Sequence, residues 1–203
     1  MYPKLPKSFF LVDDVVSRAR TLLGCRLWTR INGAVTAGVI VETEAYDGRS
    51  DRASHAYGGR RTPRTTVFYR EGGIAYTYLC YGIHTLFNVI TGPEEVPHAV
   101  LVRAIRPCEG IDTILKRRNQ SAVRRNTGGG PGLVSQALGI TTELNGTDLG
   151  GEMIWITRGD REEQPSAENV IASRRVGIDY AGPDAHLPWR FRIKNSVHTS
   201  PAR

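Results

Sequence analysis

The sequence predicts an α+β fold, one mixed domain around a largely antiparallel sheet. Three observations carry that expectation. Strand-like runs fall in pairs around tight turns, so hairpins outnumber strand–helix–strand units. Asn32-Gly33 joins two alternating apolar runs, the strongest short-range signal for a hairpin. The chain has 203 residues, 40% of them apolar and 23% charged, which suffices for one substantial core. No repeat, linker or low-complexity tract divides it, so residues 1–203 read as a single domain.

Taken in order, Val12–Leu23 reads as an amphipathic helix, with Asp13 or Asp14 near its start and Gly24 as its stop. The runs CRLWTRI and AVTAGVIVETEAY form the first hairpin. Residues 47–70, with Gly58-Gly59 as a turn, read as a loop. IAYTYLC and IHTLFNVI around Tyr81-Gly82 make a second hairpin, HAVLVRAI a further strand and EGIDTILKRR a helix. NTGGGPG is a loop that opens a short helix ending at Leu138. MIWIT, SRRVGI and PWRFRI read as late strands.

Charge narrows the function classes. There are 27 basic and 20 acidic residues, a net charge of +7 and a pI near 9.6. The only lysines are Lys4, Lys7, Lys116 and Lys194, so arginine supplies the surplus. Guanidinium is the better phosphate fork, which points towards nucleic acid beside the plainer reading of a basic soluble protein. Cys25, Cys80 and Cys108 form no C-x-x-C, as expected for buried thiols in a reducing compartment. Asp13-Asp14 ends the N-terminal apolar run too soon for a signal peptide, and no stretch has the length of a membrane span. The expectation is a cytoplasmic protein with no membrane association.

The stretch VETEAY holds the first candidate chemistry. Alternation along a strand assigns Val35, Ala37, Val39, Val41, Thr43 and Ala45 to one face and Glu42, Glu44 and Tyr46 to the other. Carboxylates two positions apart on one face lie roughly 7 Å apart. In a partly dry site each raises the other's pKa, which tunes a general base towards neutrality. A solvated strand end is the competing reading. The following loop favours chemistry: Arg49, Arg52, Arg60, Arg61, Arg64 and Arg70 stand against Asp47 and Asp51, with His55 between them. A base thus sits beside a phosphate-binding surface.

Tyr81 falls at a hairpin tip, where packing would not place a large ring, and Tyr76 and Tyr78 share one face of the leading strand. Exposed aromatics beside basic loops stack on bases or wedge between them. Other chemistries fade. His55, His84, His98 and the cysteines lack metal-ligand spacing, and no metal or cofactor is expected. NTGGGPGL has no Gly-Lys-Ser/Thr, although its glycines and helix start could hold one phosphate. With no lysine near the site, Schiff-base chemistry is not expected.

In order, VETEAY, SHAYGGRRTPRT, YLCYGIHTLFN, VLVRAIRP and GPGLVSQALGI resemble the alkyladenine (3-methyladenine) DNA glycosylase family, human-enzyme type, from about Phe9 to Ile193. The resemblance implies a curved sheet with a protruding hairpin that inserts into DNA, and excision of alkylated or deaminated purines from double-stranded DNA by a monomer without metal, cofactor or lyase activity. Carried over by position, Glu44 would activate the attacking water, held with Arg103 and the backbone of Val176. Tyr46, His55 and Tyr78 would sandwich the flipped base, and Asn88 would stand at the pocket floor against the 2-amino group of guanine. Tyr81 would be the wedge, with Ile83 beside it and Arg60, Thr62 and Arg64 as DNA contacts. Glu42 would be the supporting carboxylate. The sequence departs from the animal enzymes at Tyr57, where they carry an arginine, and at Ile83-His84.

Two rival readings use the same residues. A non-catalytic nucleic-acid-binding domain would keep the basic loop and tyrosines but tolerate loss of Glu44. A small-molecule nucleoside or sugar hydrolase would use Glu42 and Glu44 as an acid–base pair and leave the arginine loop and Tyr81 unexplained.

Overall fold

The structure, a computed structural model, describes residues 2–199. A single helical turn not anticipated from the sequence, α1 (Lys7–Phe10), precedes α2 (Val15–Thr21). Asp14 fixes the start of α2, its carboxylate accepting the Ser17 N–H at 2.9 Å, so the helix is shorter than the apolar pattern suggested. β1 (Arg26–Ile31) and β2 (Ala34–Tyr46) form the expected hairpin, Ile31 opposite Ala34. Its turn residues Asn32 and Gly33 both have positive φ, which matches the strand twist.

β3 (Ile74–Cys80) and β4 (His84–Thr91) form the second hairpin. Its ladder closes at Cys80 opposite His84, so the tip holds Tyr81, Gly82 and Ile83 instead of the two residues expected. β5 (His98–Glu109), α3 (Ile111–Arg118), α4 (Pro131–Leu138) and β6 (Ile154–Thr157) follow. β7 (Val170–Ser173) and β8 (Arg190–Ile193) complete the strands. SRRVGI is therefore not a strand. β7 stops at Ser173, and the chain leaves the sheet through a buried arginine, Arg175, and through Gly177 at φ 74°. Nothing crowds a Cβ at Gly177, so the requirement there is conformational.

The sheet order is β3-β4-β5-β2-β1-β6, with β8 joining β2 to β7. β2 is long enough to take two partners along one edge: β1 beside Ala34–Val39 and β8 beside Glu42–Glu44. β5 runs along its other edge.

Three irregularities interrupt that β2–β5 ladder, one between Ala37 and Gly38 and two offsetting ones further along. Ile40 pairs Ile105, Glu42 pairs Ala104 and Thr43 pairs Val102, so Val41 and then Arg103 are the extra residues. This corrects the simple alternation. Val39 and Val41 pack with Ala104 in a small cluster, whereas Ala45 joins Ile40 in the main core and Thr43 bonds the Ala19 carbonyl of α2. The bulge exchanges faces midway and leaves Glu42 and Glu44 on the side away from the helices.

The main core lies between the sheet and the helices, with Ala19, Ile40, Phe87, Val102, Leu138 and Phe191 among its members. On the opposite face the loop of residues 47–70 is folded down. Val67, Phe68 and Tyr69 are buried against Ile74, Tyr76 and Ile90. Together with residues 174–186, that loop makes the walls of a cleft.

Candidate active site

The cleft has a volume of about 440 Å³. Tyr46, His55, Tyr78 and Asn88 all line it, as do Arg103 and Val176, so residues far apart in sequence meet at one place. Tyr81 and Arg64 reach its rim. Arg60, Thr62 and Ile83 are exposed on the adjoining loop and hairpin tip. Pro131, at the start of α4, also faces the cleft.

Glu44 stands directly behind the wall and is fully buried. Its Oε1 accepts the Val176 backbone N–H at 2.9 Å, and its Oε2 accepts the Tyr46 hydroxyl at 2.8 Å. Arg103 Nη1 lies 3.3 Å from the same Oε2. Burial pushes the Tyr46 hydroxyl well above its ordinary pKa, with the Glu44 charge adding to it, so Tyr46 stays a donor.

Glu42 does not face Glu44 alone. Its Oε1 accepts from Arg103 Nε at 2.9 Å and from Arg190 Nε at 2.7 Å. Arg103 thus bridges the two carboxylates, delivered there by the bulge on β5, while Arg190 comes from β8. Burial alone would lower the Arg103 pKa, but the charges of Glu44 and Glu42 outweigh it and hold the guanidinium above its ordinary value. The isolated pair of carboxylates drawn from the sequence is a network in which each is neutralised.

The aromatic wall is equally interlocked. His55 meets Tyr78 edge-on with centroids 4.8 Å apart, and Tyr76 stacks on Tyr78 at 5.3 Å. Arg64 lies over the Tyr78 ring at 4.7 Å and donates from Nε to the Tyr76 hydroxyl at 3.1 Å. His55 Nδ1 is 2.9 Å from that hydroxyl, and the Asn88 amide donates to the Tyr76 carbonyl at 3.2 Å. Burial, then Arg64 and Arg60, pull the His55 pKa down to about 4, so the imidazole is neutral at physiological pH.

That depression has a measurable consequence. The unfolded chain protonates His55 near pH 6.5, whereas the folded protein resists until about pH 4. Stability held by the neutral ring is therefore lost progressively as pH falls through this window. His55→Gln, which can still bond Tyr76, should lose roughly 2–3 kcal/mol less than the parent between those limits. Thermal melting of both proteins across the range measures the difference. Parallel curves would mean that His55 titrates normally.

Sequence reasoning missed Arg175, which fixes the cleft from behind. Its guanidinium is paired with Asp51, donates to the Ala45 carbonyl at 2.9 Å and to the Asp184 carbonyl at 3.1 Å, and lies over the Tyr46 ring at 4.7 Å. It ties the end of β2, the loop before His55 and the segment Asp179–His186 to the residue preceding Val176. Read as part of a strand, it carried no signal. The adjacent Arg174-Arg175 pair inside an apolar run was the one available cue.

The methylpurine-DNA glycosylase (MPG) family model matches residues 8–197. A Chlamydia felis protein named "Putative 3-methyladenine DNA glycosylase" is 47% identical over 190 residues, covering 93% of this chain and 95% of the relative. One of the same name from Chlamydia abortus is 47% identical over 194 residues, covering 94% and 100%. Another from Bacillus cereus (strain AH187) is 43% identical over 192 residues, covering 92% and 93%. All three similar proteins are bacterial.

Proposed function

The chain belongs to the methylpurine-DNA glycosylase family, and from that premise we propose that it excises alkylated or deaminated purines from double-stranded DNA by flipping the damaged nucleotide into the aromatic cleft. The observation that carries the reading is Glu44, a buried carboxylate held by Val176, Tyr46 and Arg103 directly behind the cleft wall. Glu44 takes a proton from a water held with Arg103 and the Val176 backbone. The water oxygen bonds to the anomeric carbon, and the electron pair of the N-glycosidic bond departs with the purine. A cationic alkylated purine leaves as a neutral base, so one base and one water suffice. The flipped base stacks among Tyr46, His55 and Tyr78 above Asn88, while Arg60, Thr62 and Arg64 meet the phosphates.

The proposal includes a monofunctional enzyme, since no lysine among the described residues lines the cleft, that acts as a cytoplasmic monomer without metal or cofactor. Among the described residues no helix is long and apolar enough to cross a membrane. What favours catalysis over a purely binding domain is the placement of a buried carboxylate against the wall of the cleft, on Val176, Tyr46 and Arg103. Release of free 3-methyladenine from methylated duplex DNA, with the backbone intact and no adduct trapped by borohydride, tests the whole reading. Retention of the base would overturn it, and a trapped adduct would overturn the monofunctional part.

Tyr81 serves this reaction as the wedge. It is 87% exposed and has φ 52°, a left-handed conformation that costs a bulky residue on the order of 1 kcal/mol. A ring kept in that state has little folding role. Tyr81→Asn, which tolerates the same backbone, should melt at or slightly above the parent temperature yet shift the flipping equilibrium towards the stacked state by about tenfold. Fluorescence of 2-aminopurine beside the lesion reads the flipping. A large melting drop with undiminished flipping would make Tyr81 a packing residue.

A further inference from the structure

We propose that Tyr180, a residue without a role in the reaction as derived so far, is a second aromatic contact to DNA that carries the deoxyribose of the extruded nucleotide. The proposal rests on the glycosylase reading and adds a binding residue to it. Tyr180 is 70% exposed, lines the same cleft as Tyr81 and Tyr78, and follows Val176 by four positions.

The local fold explains why the ring points outwards. The segment Asp179–His186 is short 3₁₀ helix, and its neighbours Ile178, Ala181 and Ala185 are buried with Ala53 against Tyr46. With those positions turned inwards, Asp179 and Tyr180 face solvent. The Tyr180 hydroxyl is tethered all the same, donating to the Ala53 carbonyl at 3.2 Å. A ring tied at its oxygen presents its face, not its polar tip. Arg175 anchors the same segment through the Asp184 carbonyl, so the face is held in a fixed place at the mouth.

The ligand for such a face must be flat or apolar. In the proposed reaction the purine lies among Tyr46, His55 and Tyr78, and the anomeric carbon lies near Val176 and Glu44. The group at the mouth beside Val176 is then the sugar, whose C–H surface suits an aromatic face. Phosphate is excluded as the preferred partner because the hydroxyl is already engaged. Tyr81 would fill the gap left in the duplex while Tyr180 supports the nucleotide that left it.

Three duplexes separate the possibilities: one with a lesion, one with a tetrahydrofuran abasic analogue, which keeps the sugar without the base, and one undamaged. Tyr180→Ala should weaken binding to the lesion and abasic duplexes equally, on the order of tenfold in Kd, and leave undamaged DNA unaffected. Tyr180→Phe, which keeps the face but gives up the Ala53 tether, should restore part of the loss. Thermal melting of both variants should match the parent, as the ring is mostly exposed. Loss confined to the lesion duplex, equal loss on undamaged DNA, no loss on any duplex, or failure of Phe to rescue would each overturn the sugar assignment. Failure of the parent to prefer lesion over undamaged DNA would instead indict the glycosylase reading.

Discussion

Glu44→Gln should cut single-turnover excision of 3-methyladenine by at least about a hundredfold, the usual scale for loss of a general base, while lesion binding persists. The amide is close in shape to the carboxylate. Its oxygen can still accept the Val176 N–H and its nitrogen can donate to the Tyr46 hydroxyl oxygen, at the loss of the Arg103 contact made by Oε2. What disappears is the basic lone pair. Glu42→Gln should cost much less, because Glu42 meets the cleft wall at Arg103, whereas Glu44 also holds the cleft residues Tyr46 and Val176. Single-turnover rates on one duplex rank the two variants. A near-parent rate for Glu44→Gln removes it as the base, and the reverse ranking exchanges the two roles.

Arg103→Met should be the most destabilising single change at the site. Glu42 keeps Arg190, but Glu44 loses its ion-pair partner while remaining buried. Breaking such a pair costs about 3–5 kcal/mol, because one charge is left uncompensated away from water. For a domain of this size that corresponds to a fall of roughly 10 °C in Tm. Adding Glu44→Gln to Arg103→Met should recover part of the loss by deleting the stranded charge. Calorimetry of the single and double variants tests the coupling. An unchanged melting temperature for Arg103→Met would show that solvent reaches Glu44.

Much of this arrangement was legible in the chain because local chemistry decides it. Asn32-Gly33 can hardly be anything but a tight turn, and Asp14 starts a helix by capping alone, whereas that helix ends at its cap residue Leu22 before Gly24 is reached. The polar face of Glu42, Glu44 and Tyr46 survived because alternation holds over short distances. It failed between Val41 and Thr43, since a bulge is a property of two strands and β5 cannot be seen from β2. The same bulge aims Arg103, so the sequence pointed to two facing carboxylates where the fold has a neutralised network. Arg175 and Tyr180 stayed hidden for a related reason: residues 174–186 owe their path to partners more than a hundred positions away, such as Asp51 and Ala53.

The split edge of β2 has a consequence for the order in which the protein can mature. Glu42 is neutralised in part by Arg190, and β8 lies 148 residues further along the chain. During synthesis, β1, β2 and β5 emerge from the ribosome long before that arginine exists. A nascent sheet can close its Asn-Gly hairpin early and bring Arg103 of β5 onto Glu42, but until β8 docks that one arginine serves two buried carboxylates, Glu42 and Glu44. The proposed catalytic centre is thus completed by one of the last strands to be made, since an incomplete chain lacks the strand that brings Arg190 to Glu42.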